Sequence, residues 1–412
     1  MVNTLSTVKN EIKNSIEQKG VVVTDGMIKY ADYIRSITDS GIIKFAHTTF
    51  NNSNLGDIFP TAIINYLNNP NLHDYSYMFY SGSANFDFPY FDASSATNMS
   101  HMFSYWNHYN DYSEPEYGLA LIDTSNVLDM SGMFLSSSFN NIPLLDTSSV
   151  VNMSEMFAHT QAYSTIPMFN TYNVLDMSGM FEYSNIETLP SLDTSNVKNM
   201  SGMFRNCGKL ITAPYLNTSS VENMSYMFSD CSSLTTVPLL DTSSVKDMSY
   251  MFYWCEELQS LPLLDTSNVE NMSHMFYRCK SLTTIPAFDT SRVKDMSYLF
   301  RDSTITNIPL IDCSSVINVS NMFTYRTYYE FGGFKNLGMQ EEIIGLTGVD
   351  SFLYGALCDS RESILNILNN LYDRASAGMS NIEIQIPISY FDDITDEDIA
   401  MVTGKGWIII KK

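Results

Sequence analysis

The sequence predicts an α/β repeat protein: a leucine-rich-repeat-like solenoid of about eleven units of 23–24 residues, with an N-terminal helical module and a C-terminal α/β cap. A Met-Phe pair, once replaced by Leu-Phe, recurs eleven times between Met78 and Phe323. Nine of the ten steps between successive pairs are 23 or 24 residues long. Neither end of the chain follows this period. Self-similarity at a fixed period of this length is typical of stacked repeats, which bury their apolar faces against one another.

Residues 1–45 precede the repeats and are predicted to form a helical module for attachment or oligomerisation. Four apolar residues fall on one face of its first helix, and Gly20 ends that helix. These residues are Leu5, Val8, Ile12 and Ile16. A second helix is predicted around residues 27–34. The alternative is a helical hairpin that only caps the open end of the solenoid.

The repeat region, residues 46–336, is best represented by residues 237–258, which read VPLLDTSSVKDMSYMFYWCEEL. Its apolar residues recur at the spacing of a helix of two to three turns. These residues are Val245, Met248, Met251, Phe252 and Cys255. A hydroxyl side chain within 242–244 is expected to cap this helix. Residues 234–240 are predicted to be extended, with Pro238 at the end of the strand because proline cannot donate a ladder hydrogen bond.

Two columns of the repeat carry residues that could be chemical but are predicted to be structural. The first is acidic and is expected to fasten each turn through backbone hydrogen bonds, with a cation-binding ladder as the alternative. Its members are Asp146, Asp193, Asp241, Asp265, Asp289 and Asp312, with Asn170 and Asn217 substituting. The second is cysteine, at residues 207, 231, 255 and 279. We expect these thiols to be small buried apolar groups, with a disulfide ladder as the alternative.

The run D-T-S-N-V-x-N-M-S-x-M-F-x-x-C resembles the bacterial surface-protein repeat of the BspA-like leucine-rich class. The resemblance covers roughly residues 74–325. It implies a leucine-rich-repeat-type solenoid that is used for adhesion and for binding protein or glycan, without catalysis.

Residues 337–412 depart from the period and are predicted to form α/β capping repeats. Residues 363–372 and 395–402 are predicted helices, the second with an acidic first turn. Residues 381–388 alternate as a strand, and residues 405–410 form a final strand. This end is similar to C-terminal segments of phage and gut-bacterial surface proteins. Residues 1–45 resemble a short N-terminal module of phage tail and appendage proteins, through I-x-x-x-I-x-x-K-G and Y-A-x-x-I.

Charge and composition narrow the classes of partner. The formal net charge is −23, from 22 basic and 45 acidic residues. Phosphate-rich partners would be repelled, so nucleic acid and anionic membrane are not expected. No signal-peptide pattern opens the chain, and no apolar run approaches the roughly 20 residues of a membrane span. We therefore expect neither secretion by the usual route nor membrane insertion.

Catalytic and cofactor motifs are missing from the sequence. It contains no nucleophile elbow, phosphate-binding loop or dinucleotide fingerprint. The six histidines are scattered without the spacing of metal ligands. We therefore expect no enzyme, no cofactor and no metal site.

Two groups of residues have the composition of a binding surface. The first is an insertion within residues 104–118 that is rich in Tyr, Trp and Asn, a mixture recurrent in recognition loops. Its candidate ligand-binding residues are Tyr105, Trp106, His108, Tyr109 and Tyr112. The second is an aromatic stripe beside the Met-Phe pair, expected either to grip sugar rings or a protein edge, or only to stabilise stacking. Its members are Tyr226, Tyr250, Tyr253, Trp254, His274, Tyr277 and Tyr298.

The sequence leads to the hypothesis of a phage virion appendage or tail-fibre component that acts in host attachment. It would attach to other virion proteins through residues 1–45 and bind a host-surface protein or glycan, and it could form a homo-oligomer. The first alternative is a bacterial or protist surface adhesin of the BspA-like class. The second is a purely structural virion decoration protein.

Overall fold

The fold was analysed in a computed structural model. It describes residues 49–50, 67–84, 91–108, 122–139, 142–160, 166–189, 191–305, 307–309, 311–322, 330–331, 334–335, 368, 375–376, 381–386 and 394–411. The chain divides into two compact units. Unit 1 comprises residues 1–185 and 189–196, and unit 2 comprises residues 186–188 and 197–412. This division differs from the predicted boundaries at residues 45 and 336, which remain predictions.

Successive repeats stack in parallel within each unit, and each repeat contributes one bridging residue. In unit 1 the bridges run from Asp74 through Asn98, Asp129 and Asn152 to Asp176. In unit 2 a corresponding series runs from Asn199 through Asn223, Asp247, Asn271 and Asp295 to Asn318. Thr212, Thr236 and Ser260 form a second, shorter series of parallel bridges in unit 2. The predicted extended segment at 234–240 therefore contains a bridge at Thr236, two residues before Pro238.

The predicted helix of the repeat is wrong, because its residues form consecutive turns. In the repeat at 248–255, alternate N–H groups donate to the next repeat, as Tyr250 N does to Ser273 O at 2.9 Å. The intervening N–H groups donate within the repeat, as Met251 N does to Met248 O at 3.2 Å. A helix would use all of these groups internally. Three overlapping four-residue turns (248–251, 250–253 and 252–255) place buried side chains at the same spacing as a helix, so the apolar pattern alone does not distinguish turns from a helix.

The predicted stripe nevertheless forms the core. Each of its five residues in the repeat at 245–255 is fully buried. The phenylalanines stack from repeat to repeat within each unit, at centroid separations such as 5.9 Å for Phe228–Phe252 and Phe134–Phe157. Burial of a Phe or Met side chain is worth about 1.5–3 kcal/mol. No single repeat could bury this surface alone, so stacking is what stabilises the fold.

The acidic column fastens turns, as the sequence predicts. Asp265 Oδ1 accepts the Ser267 N–H at 3.0 Å, and the corresponding bond recurs in the other repeats, including the one with Asn170. Thr242, considered as a helix cap, instead donates its hydroxyl to Asp265 O in the next repeat at 2.8 Å. The sequence analysis missed a second such column, which coincides with the bridging residues. There Asn271 Oδ1 accepts from Ser273 N at 3.0 Å.

Short strands flank the main series of bridges. In unit 1, β1 (Thr49–Phe50), β2 (Ser83–Ala84) and β3 (Asn107–His108) form a parallel sheet in the order β1-β2-β3. In unit 2, the short strands are β4 (Asn307–Ile308), β5 (Ile311–Asp312), β6 (Glu330–Phe331) and β7 (Phe334–Lys335). There β4 pairs with β6 and β5 pairs with β7, both in parallel.

The C-terminal strand–helix–strand prediction is confirmed where the structure describes it. β8 (Ile382–Ile386) pairs in parallel with β9 (Trp407–Lys411), and α1 (Asp396–Gly404) lies between them in the chain. Thr395 caps α1 in a capping box with Asp398, and the first turn carries three carboxylates. Negative charge there complements the helix dipole. The predicted helix at 363–372 lies largely outside the described residues.

The cysteine column is buried, as predicted. Cys207, Cys231, Cys255 and Cys279 are all free thiols with no exposed surface. The last three donate to a phenylalanine carbonyl of the preceding repeat, with Cys255 Sγ 3.0 Å from Phe228 O. Burial raises the pKa of the Cys255 thiol well above its usual range. These thiols therefore pack the core and donate hydrogen bonds to it.

Candidate functional site

One column of the repeat adopts left-handed backbone conformation in every described repeat. It is the residue immediately before the Met-Phe pair, and its φ angle lies between 53° and 61° throughout. The residues are Tyr77, His101, Gly132, Glu155, Gly179, Gly202, Tyr226, Tyr250, His274, Tyr298 and Asn321. Glycine adopts this conformation most readily, whereas a bulky side chain there costs roughly 1–2 kcal/mol. Unit 2 nevertheless carries four consecutive aromatic residues in this column.

Those four aromatic side chains form a continuous ladder. Ring centroids are 4.4 Å apart for Tyr226–Tyr250, 4.2 Å for Tyr250–His274 and 4.4 Å for His274–Tyr298. The angle between neighbouring ring planes is no more than 13°. The two inner rings therefore have both faces covered by their neighbours. All four residues are half-buried.

Arginines cover the rings at the two ends of the ladder. The guanidinium carbon of Arg205 lies 5.3 Å from the centroid of Tyr226, and that of Arg301 lies 5.1 Å from the centroid of Tyr298. Both distances are within the range of cation–π attraction. Each end ring of the ladder therefore contacts a neighbouring ring and a guanidinium, and each inner ring contacts two neighbouring rings. Little ring face is left on which a ligand could stack.

A second row of aromatic and charged side chains borders the ladder. Tyr253 and Tyr277 lie with centroids 4.9 Å apart, and the Arg278 guanidinium covers Trp254 at 4.0 Å. Arg278 also pairs with Glu256, Nε to Oε1 at 2.8 Å, and Lys280 reaches the same carboxylate. The aromatic patch is defined here as the ladder together with Tyr253, Trp254 and Tyr277. All seven residues of the predicted stripe lie in it.

Partial burial controls the ionisation of the patch. Desolvation raises the pKa of Tyr250 to about 12, with the neighbouring Tyr226 adding to the effect. Desolvation lowers the pKa of His274 to about 4. The His274 Nδ1 atom is buried and has no hydrogen-bond partner in the described structure. Tyr250 and His274 are therefore uncharged near neutral pH. Positive charge beside the ladder comes from Arg205 and Arg301.

The predicted binding residues of the insertion do not form one exposed group: Tyr105 is exposed and Trp106 is buried. Tyr105 is exposed, but Trp106 is only 1% exposed and packs edge-on against Phe79 and Phe103 at 6.0 and 5.8 Å. The prediction that Trp106 contacts ligand is therefore wrong in this structure. Trp106 occupies the repeat position that cysteine fills at 207, which is buried throughout the described repeats. The His108 backbone belongs to β3, while Tyr109, Tyr112 and the rest of the insertion to residue 121 lie outside the described residues.

The other predicted site residues also lie outside the described part. Leu5, Val8, Ile12 and Ile16, expected to attach or oligomerise, are among them. The arginines on the patch were missed by the sequence analysis. A second left-handed column lies four residues after the first and includes Asn206, Arg278 and Asp302. Arg278 belongs to this column, and Arg205 and Arg301 directly precede it. A smaller counterpart was missed in unit 1, where the rings of Tyr77 and His101 stack at 4.7 Å.

The described residues contain neither a metal-binding cluster nor a helix that could span a membrane. No group of three or more His, Cys, Asp or Glu side chains there is placed to hold a metal ion. Among the same residues, no helix has the length and apolar character that crossing a bilayer demands.

Comparison with known proteins concerns the repeats. The chain is similar to a solved leucine-rich repeat protein from Eubacterium ventriosum at 17% identity, covering 57% of this chain and 68% of that chain, with a TM-score of 0.35. No curated protein matches the chain. The sequence profile described as "Mycoplasma protein of unknown function, DUF285" matches residues 43–115, 109–188, 183–283 and 255–332. These matches confirm the predicted bacterial repeat resemblance and do not extend to the phage-like termini. Since they span well over half of its length, the chain belongs to the DUF285 family of repeat proteins.

Proposed function

We propose that this chain is a non-enzymatic binding protein and that the aromatic patch of unit 2 is its contact surface for a protein partner. The observation that carries the proposal is the ladder of aromatic residues held in left-handed conformation. Three other repeats place glycine in this column, so the fold itself does not require a ring there. Backbone strain of this kind is concentrated at functional sites.

The composition of the patch supports a protein partner rather than a glycan. Tyr, Trp and Arg are the residues most enriched among energetically dominant interface positions. A sugar ring binds an aromatic side chain through the face of the ring, and in the ladder those faces are occupied by neighbouring rings or guanidinium groups. Ring edges, phenolic hydroxyls and the guanidinium groups of Arg278 and Arg301 remain to contact a partner. The ion pairs of Arg278 with Glu256 and Asp302 fix that guanidinium in position.

The biological setting is a second part of the proposal. Membership of a family described from Mycoplasma supports a bacterial surface adhesin, with the patch contacting a host or neighbouring protein. The alternative is a virion appendage attached through residues 1–45, supported by the resemblance of both termini to phage proteins. A structural decoration protein without a receptor is the third candidate. Purified protein would associate with isolated virions in the last two cases and with cells in the first two.

The test replaces the ladder with the residue that other repeats use. A variant with Tyr226→Gly, Tyr250→Gly, His274→Gly and Tyr298→Gly should fold, because glycine is the least strained residue at these φ angles. We expect at least tenfold weaker binding to intact cells of the organism that carries the gene, or of its host, since hot-spot residues typically carry over 1 kcal/mol each. Binding should disappear after protease treatment of the cells and survive periodate oxidation of their glycans.

The matched control is Tyr215→Ser. Among the described residues of unit 2, Tyr215 is the most exposed large apolar residue, at 81%, and serine occupies the equivalent position at 191. This variant should bind as the parent does.

Equal binding by the ladder variant, with its fold intact by circular dichroism, would refute the proposal that the aromatic patch is the contact surface. If cell binding is lost only when residues 109–118 are deleted, the contact surface is the insertion and not the patch. If periodate oxidation of the cells abolishes binding, the partner is a glycan.

A further inference from the structure

Unit 1 carries exposed apolar side chains at a repeat position that is charged in five consecutive repeats of unit 2. The position follows the buried valine of each repeat. In unit 1 it holds Leu128, Val151 and Leu175, which are 49%, 36% and 43% exposed. The Val151 N–H donates to Leu128 O and the Leu175 N–H donates to Val151 O, both at 2.8 Å. These three residues, defined here as the apolar row, therefore lie on consecutive hydrogen-bonded rungs.

Unit 2 shows what this position holds when it only faces water. There the column reads Lys198, Glu222, Lys246, Glu270 and Lys294, so the charge alternates over five rungs, and the next described rung holds Ile317, which is 43% exposed. Lys246 Nζ pairs with Glu222 at 2.7 Å, and Lys294 pairs with Glu270. The backbone bonds are the same as in unit 1, with Lys246 N donating to Glu222 O at 2.9 Å. The fold thus accepts charged pairs at these rungs, and the apolar residues of unit 1 are not required for stacking.

A second substitution adds exposed aromatic surface to the repeat that contains Leu175. Tyr172 lies three residues before Leu175, at a position where the neighbouring repeats carry Ser148 and Ser195. Its side chain is 58% exposed. The serine it replaces would add a hydroxyl bond to the turn, as Ser195 does with Asp193 at 2.7 Å. Tyr172 keeps only the backbone bond to Asn170 Oδ1. Tyr172 therefore exposes an aromatic ring at a position where serine usually stabilises the turn.

The repeats that carry the apolar row have acidic residues and no basic ones. Residues 45–197 contain fifteen Asp and Glu residues and no Lys or Arg. Exposed carboxylates such as Asp146 and Asp193 belong to the turns beside the row, and bonds from Ser148 and Ser195 lower their pKa values, so they stay ionised at neutral pH. An apolar row in such a field favours a partner that combines apolar and basic side chains.

We propose that the apolar row of unit 1 is a docking surface for a basic amphipathic helix of a protein partner. Neighbouring rungs of parallel chain lie about 4.8 Å apart. Successive turns of an α-helix rise 5.4 Å, whereas same-face residues of a strand are about 6.8 Å apart. A helix lying along the row therefore places its i, i+3/i+4 and i+7 apolar residues near the three rungs, with its basic face towards the surrounding carboxylates. This surface is independent of the aromatic patch.

The experiment titrates the full chain with three synthetic helical peptides of equal length. One carries a Leu face and a Lys face, the second a Leu face and a Glu face, and the third is the Lys peptide with its Leu residues changed to Ala. We expect the Lys/Leu peptide to bind at least tenfold more tightly than either of the others. Its affinity should fall as NaCl rises from 20 to 300 mM, since salt screens the charge attraction.

A variant and a control with the same charge change locate the binding. Leu128→Lys, Val151→Glu and Leu175→Lys reproduce the unit 2 pattern, and should weaken Lys/Leu peptide binding about tenfold. The control, Leu144→Lys, Met168→Glu and Ser191→Lys, changes other exposed positions of unit 1 and should bind as the parent does. Equal binding by the row variant, or equal binding of the Leu/Glu or Lys/Ala peptide, would overturn the proposal. The glycine variant of the ladder should leave this affinity unchanged, whatever it does to cell binding.

Discussion

At the scale of single residues, the aromatic ladder is explained by the balance between backbone strain and ring stacking. A tyrosine in left-handed conformation costs roughly 1–2 kcal/mol relative to an ordinary position. Offset or parallel ring contacts return about 0.5–1.5 kcal/mol per pair beyond area burial. Tyr250 and His274 each stack on two neighbours, so the inner positions of the ladder gain the most.

His274 should make the stability of unit 2 depend on pH. Its pKa is lowered to about 4 in the folded state by desolvation, against about 6.5 for an exposed histidine. The unfolded chain therefore takes up a proton first, and stability should fall as pH drops from about 6.5 to about 4. We expect His274→Tyr, which places the residue of the neighbouring repeats there, to reduce this slope in urea titrations at several pH values. An unchanged slope would contradict the desolvated state of His274.

Glycines in the same column provide a test of the left-handed conformation. At Gly202 an added Cβ would lie 3.8 Å from the Arg205 Cβ, so Gly202→Ala should cost about 1 kcal/mol from φ alone. At Gly132 the added Cβ would overlap the His101 ring, which must leave its stack with Tyr77. Gly132→Ala should therefore be the more destabilising change, as measured by urea unfolding. The reverse order would be inconsistent with the ring position of His101.

At the scale of elements, each repeat is held by side chains that replace regular secondary structure. In the repeat at 265–276, Asp265 and Asn271 each accept a serine N–H two residues on. Thr266 donates to Asp289 O of the next repeat at 2.9 Å. Such local bonds satisfy backbone groups that a helix would satisfy internally. This explains why the repeat has fixed Asp, Thr and Asn positions around a short apolar core.

Asp265 offers a direct test of this fastening. Asp265→Asn should be nearly neutral, because asparagine occupies the same turn position at 170 and 217 and accepts the same bond. Asp265→Ala removes the acceptor and should lower the free energy of unfolding by about 1 kcal/mol. The hydrogen bonds from Ser267 lower the pKa of Asp265, so the Asp265 contribution should fade as pH falls through that lowered pKa. Equal stability of the alanine and asparagine variants would refute the role.

At the scale of the whole molecule, charge is distributed unevenly along the chain. All 22 basic residues lie outside residues 45–197, whereas acidic residues occur throughout. Unit 1 repeats therefore have no cation to offset their carboxylates, while unit 2 forms ion pairs such as Lys246–Glu222. The two units therefore present different surfaces. The unit 1 repeats carry the apolar row among acidic residues, and the unit 2 repeats carry the aromatic patch with its arginines.

Salt should therefore stabilise the chain. Like charges in unit 1 repel one another in the folded state, and the Debye length falls from about 30 Å at 0.01 M to about 8 Å at 0.15 M salt. We expect the urea midpoint of the full chain to rise between 10 and 150 mM NaCl. Repeating the titration with the Lys246→Ala variant separates this effect from the screening of unit 2 ion pairs, which acts in the opposite direction. A midpoint that falls with salt would contradict net repulsion.

The sequence by itself determined the repeat, its period, the core and the turn-fastening acidic column, because each is a pattern that recurs unit after unit. The C-terminal strand, helix and strand were predictable for the same local reasons of alternation and capping. Only the tertiary structure decided that the apolar stripe is made of turns, because alternate N–H groups of residues 248–255 bond to the next repeat. It also decided that Trp106 is buried and that Arg205 and Arg301 lie on the ends of the ladder. These are contacts between repeats, and no pattern within one repeat specifies them.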